Sequence, residues 1–87
     1  MPTTLFPQLS TIPAFQQIGY FHLGSVREYE ANGRTVMEGE FVDYRPPTPE
    51  RRPFRFHVAH GADLKLYEPQ VRERINAKES LLDIYLG

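Results

Sequence analysis

With 87 residues, no cysteine and a formal net charge of −1, the chain excludes disulfide frameworks, thiolate chemistry and Cys-based metal sites, and it carries no overall field to draw it onto nucleic acid or an anionic membrane. A chain this short buries only about 60–65% of the surface its unfolded form exposes; its 40% hydrophobic and 24% charged residues are those of an ordinary globular domain. No basic n-region with an apolar h-region opens it, and no apolar run approaches the roughly 18 residues of a membrane span. The expectation is a single soluble, cytoplasmic domain over 1–87.

Residues 1–18 hold Leu5, Phe6, Leu9, Ile12, Phe15 and Ile18, broken by Pro2, Pro7 and Pro13. The prolines forbid one long helix. An extended arm followed by one or two helical turns is expected, either covering its own sheet or reaching to a partner with Phe6 and Leu9.

The next stretch organises the chain. Asn32-Gly33 separates two alternating segments, about 20–30 and 35–44, and is the strongest short-range hairpin signal, because a type I′ turn needs φ > 0 at both central residues. A two-residue turn fixes the register. It sets Phe21 opposite Tyr44, Leu23 opposite Val42, Ser25 opposite Glu40, Arg27 opposite Glu38 and Tyr29 opposite Val36, with His22 beside Asp43 on the other face.

Residues 45–53 follow, with four prolines and Arg45, Arg51 and Arg52. Such a run suits a semi-rigid polyproline-like loop, not a central strand or a helix interior. Phe54, Phe56 and Val58 alternate with Arg55 and His57, and Leu64-Lys65-Leu66-Tyr67 alternates again, so a second hairpin is expected at about 54–59/64–67. Glu68-Pro69 then opens a helix. Val71, Ile75, Lys78, Leu82 and Tyr85 or Leu86 fall at three- and four-residue steps, which makes 69–86 a mainly helical tail, although Leu82 to Leu86 also alternates as an edge strand would. The fold expected is α+β: a small antiparallel sheet of three to four strands with a C-terminal helix and an N-terminal arm.

Chemistry is sparse. His57, His60 and Asp63 are the one metal constellation worth weighing, but 57 and 60 face opposite ways in a strand, and Asp63 with His60 closes the turn more simply. His22 opposite Asp43 is the only His–carboxylate pair, and no nucleophile stands at a defined spacing from it. No enzyme, metal or cofactor is expected. Arg45, Arg51, Arg52 and Arg55 lie close to Tyr44, Phe54 and Phe56, a mix that nucleic-acid surfaces use, although the phenylalanines share the core face. Tyr20, Tyr29 and Tyr67 together with these arginines make a stronger inventory for a protein interface, which over-uses both residue types.

The expected function is a small protein-binding module, an adaptor or an inhibitor that occupies a partner's surface, acting as a homodimer; nucleic-acid binding through Arg45 to Arg55 is the alternative. In size, lack of cysteine and lack of a catalytic motif the chain resembles accessory proteins of phages and plasmids, including inhibitors such as anti-CRISPR proteins. That resemblance implies a partner-blocking role and names no residue.

Overall fold

In the computed structural model, which describes residues 6–87, Asn32 and Gly33 take φ of 54° and 74°, the conformation a type I′ turn requires. They lock strand β2 (Arg27–Ala31) onto β3 (Arg34–Asp43) in the register expected, Arg27 opposite Glu38 and Tyr29 opposite Val36. Beyond Arg27 the register changes. Strand β1 (Gly19–Phe21) also runs antiparallel to β3, but Phe21 stands opposite Phe41 and not Tyr44, and Gly19 opposite Asp43. The difference is three residues, taken up by a 3₁₀ turn at Leu23–Ser25.

An odd shift turns every side chain of β1 to the opposite face of the sheet. Phe21 thereby leaves the face of Val36 and joins that of Phe41 and Phe54, whose ring centroids lie 4.7 and 5.1 Å from its own. Burial of one aromatic ring thus overrides the register set by the turn. The interruption is held by Ser25, whose hydroxyl donates to His22 O (2.7 Å) and accepts from Glu40 N (2.9 Å). Gly39 makes room below, since a Cβ there would come within 3.1 Å of Ser25 Oγ.

Strand β4 (Glu50–Val58) pairs with β3 from Glu50 opposite Asp43 to Val58 opposite Thr35, so the last four residues of the expected proline loop, 50–53, are strand. Pro53 is tolerated because the next strand flanks only Phe54–Val58, leaving Pro53 a neighbour on one side. The expected second hairpin does not form. Leu64–Tyr67 is a 3₁₀ helix capped by Asp63, which accepts from Lys65 N (3.1 Å), and it buries Leu64 while Leu66 stays exposed. It runs into helix α3 (Glu68–Asn76), which follows the two short helices α1 (Phe6–Ser10) and α2 (Pro13–Gln16) in the chain.

The tail is not helical to its end. Continuing α3 would have placed the Lys78 amine in the buried stripe; instead Lys78 takes φ 57° and stops the helix. Leu82–Leu86 then forms β5, parallel to β4, with Leu82, Ile84 and Leu86 buried and Tyr85 exposed. The 3₁₀ helix and α3 supply the crossover that parallel strands require. The result is an α+β fold with a mixed, open five-stranded sheet. Side chains of α3 also reach the outer edge of β5, where Gln70 Nε2 donates to Tyr85 O and Arg74 Nη2 to Asp83 O, each at 3.4 Å.

The described α-helices and the Leu64–Tyr67 turn pack on one face of the sheet. Leu9, Ile12, Phe15, Leu64, Val71 and Ile75 pack with Met37, Phe41, Phe54, Phe56 and Ile84 in one core. The N-terminal segment from Gln8 onward is therefore part of the chain's own core: Leu9 is 1% exposed, which removes it from any partner surface, while the side chain of Phe6 lies outside the described residues. Alternate residues of the strands point the other way, and no described helix covers them.

Candidate protein interface

Register alone arranges this bare face in cross-strand rows. Arg27, Glu38, Arg55 and Asp83 form one, from β2 to β5. Arg27 and Glu38 are ion-paired, Arg55 Nε lies 3.2 Å from Glu38 Oε2, and the Tyr29 hydroxyl donates to the same oxygen at 3.0 Å. The next row is Tyr29, Val36, His57 and Tyr85. The His57 ring stacks on Tyr85 with centroids 4.1 Å apart and planes 7° from parallel, and its Nε2 sits 2.6 Å from Asp83 Oδ1. The Arg34 guanidinium lies 5.4 Å from the Tyr85 ring centroid and donates from Nη1 to His57 O (3.3 Å). These side chains bury Val36 to 1% exposure without help from a helix. Each of these side chains is held by contacts to its neighbours on the same face.

The bond from Arg27 is the largest of the effects that hold the Glu38 carboxyl below its usual range, with the bonds from Arg55 and Tyr29 adding to it against the cost of burial. A carboxylate favoured in the folded chain contributes fully above its unfolded value of about 4.3 and loses that contribution as pH falls through its lower folded value. Asp43 and Glu79 are shifted the same way by Arg45 and Arg74. Folding stability is therefore expected to decline below about pH 4, with Glu38→Gln making the decline shallower in denaturant titrations run from about pH 7 to about pH 3. An acid limb identical in the variant would show that Glu38 does not titrate with folding.

The structure brings some of the residues singled out from the sequence together on this face. Tyr20 and Tyr29 are 52% and 41% exposed there, Arg55 lies in the charged row, and Arg51, whose side chain is 67% exposed, stands 4.0 Å from Glu40. The others are elsewhere. Arg45 clasps the buried Asp43 through its N, Nε and Nη2 at 2.9–3.0 Å and reaches Asn76 Oδ1 at 2.7 Å. Arg52, 5% exposed, faces the helices and donates to Ile75 O (2.7 Å) and Glu50 Oε2 (2.9 Å). Tyr67 packs half-buried against the core.

The arginine cluster is thus split between the two sides of the sheet, and Phe54 and Phe56 are buried where no base can stack. Arg27, Arg34, Arg51 and Arg55 on the bare face are nearly balanced by Glu38, Glu40 and Asp83. A balanced face offers phosphates little field. Arg34, His57, Asp83 and Tyr85 belong to the same face, which residue type alone does not reveal, because only a parallel β5 brings Asp83 beside Arg55 and Tyr85 beside His57. The alternation of Leu82 to Leu86 was the available signal.

His60 meets Glu30 (3.0 Å) and not Asp63, while Asp43 is held by Arg45 and not by His22. Among the described residues no group of three His, Cys, Asp or Glu side chains is placed to hold a metal ion, and no helix is long and apolar enough to cross a membrane. No family model, no curated protein and no solved structure matches the chain.

Proposed function

We propose that the chain is a non-enzymatic protein-binding module, an adaptor or an inhibitor, that lays the bare face of its sheet against another protein in the cytoplasm, where a chain without disulfides loses nothing to a reducing environment. The observation that carries the proposal is the pairing of a helix-free sheet face with ordered tyrosines and arginines, Tyr20, Tyr29 and Tyr85 being 52%, 41% and 59% exposed. Tyr and Arg anchor interfaces because they combine apolar area with directional bonds. Side chains already held by Glu38, His57 and Asp83 lose less freedom on binding. A blocking role of the phage-accessory kind would work through the same face.

A photoreactive phenylalanine placed at Tyr20 or Tyr29, compared with one at Leu66 on the helical side, tests the proposal in the cells that make the protein. Discrete cross-linked products are expected from the two face positions and none from Leu66, although Leu66 is 75% exposed. Silent face positions, or the same products from Leu66, would overturn it.

A further inference from the structure

We infer that the bare face is a two-fold contact between copies of this chain, an inference that rests on taking that face as a binding surface. Across the strands the row Arg27, Glu38, Arg55, Asp83 alternates plus, minus, plus, minus. Two copies placed face to face are related by a two-fold axis lying in the plane between them. An axis along the row would set each charge against itself. An axis parallel to the strands, running between β3 and β4, reverses the row: Arg27 meets Asp83 of the second copy, and Glu38 meets Arg55.

The neighbouring row reverses with it. Tyr29 then faces Tyr85 of the second copy and Val36 faces His57, so no like charges meet in either row. That axis also keeps the strands of the two sheets nearly aligned, as packed twisted sheets are, at about 30°. A face built only for an acidic or a basic partner would carry one sign of charge; this row is complementary to its own reverse. Four strands about 4.8 Å apart give a face on the order of 500 Å², below the roughly 800 Å² per partner of a standard stable complex. The contact is accordingly weak and reversible, and another protein competes for it by mass action.

Sedimentation equilibrium of the full chain, from about 10 μM to about 1 mM, is the test, the range that a face of this size calls for. Wild type is expected to dimerise reversibly. Asp83→Lys and Arg27→Glu, at side chains 41% and 74% exposed, should each weaken the dimer at least tenfold by setting like charges together. An equimolar mixture should restore it, since the new lysine then meets the new glutamate. Wild type that stays monomeric, single variants that dimerise normally or a mixture that stays monomeric would overturn the inference, and the wild-type mass decides alone should either variant fail to fold. If the dimer fails while Tyr29 still cross-links a different protein, the protein-binding proposal stands; if both fail, the face is not a binding surface.

Discussion

Replacing Gly19 by alanine is expected to destabilise the fold by about 3 kcal/mol or more, above the usual range for overpacking. A Cβ at this position would lie inside the contact radius of the Val42 carbonyl oxygen and 2.8 Å from Phe41 Cζ. The oxygen belongs to the backbone of β3, which is paired on both sides at that point, with Tyr20 and with Arg51. It cannot step aside without breaking ladder bonds, so β1 must lift. Phe21 lifts with it, and its ring makes contacts with Phe15, Phe41, Phe54 and Phe56. For a domain of this size that loss lowers the thermal midpoint by about 12–24 °C. A drop smaller than about 5 °C would mean that β1 does not press on β3 at Val42.

Arg52→Met carries the second large effect, a loss of about 2–4 kcal/mol in denaturant unfolding. Methionine keeps much of the apolar stem and removes the charge, so packing is largely preserved. What goes is one of the bonds to Ile75 O, in the last turn of α3, which still accepts from Lys78 N (3.0 Å), and the bond to Glu50. The expected loss is set below that of a fully buried broken pair because Glu50 is exposed and Asp43 keeps Arg45. Asp43 would also lose a nearby cation that helps to depress its carboxyl, so this part of the deficit should shrink as pH falls through the carboxylate range. A methionine variant as stable as wild type would show that the buried guanidinium contributes nothing net, as apolar replacement of buried ions sometimes does.

Local signals in the chain proved reliable where the structure they specify is local. The Asn32-Gly33 turn and the β2–β3 register follow from φ preferences and cross-strand pairing, and Glu68-Pro69 does begin α3. The misread elements depend on neighbours distant in sequence. Phe21 changes face because Phe41 and Phe54 offer it a core, which no turn rule registers. Leu82 to Leu86 fits both periodicities, and the free edge of β4 decides for the strand. Pro53 reads as loop until β5 is known to begin opposite Phe54.

The same limit governs the candidate interface. Tyr20, Tyr29, Arg51 and Arg55 could be chosen by residue type, and alternation places Tyr29 and Arg55, but Tyr20 joins that face only through the odd shift of β1 and Arg51 only because β4 starts at Glu50. Arg45 and Arg52 could not be excluded by type, because their partners Asn76 and Ile75 lie 31 and 23 residues away along the chain. Tyr85 and His57 are neighbours only across a parallel pair.

The side chains of Gln70 and Arg74 on the outer carbonyls of β5 bear on how the protein behaves when crowded. A fibril that grows strand by strand needs a receptive edge at each end of every subunit, so that each addition leaves a new place to add. Here α3 stops one end. Edge-to-edge growth can begin only at the β2 side, and once two such edges have met, no edge is left to extend the chain of subunits. A sheet with one stoppered end can make pairs along its edges but not strand-by-strand filaments.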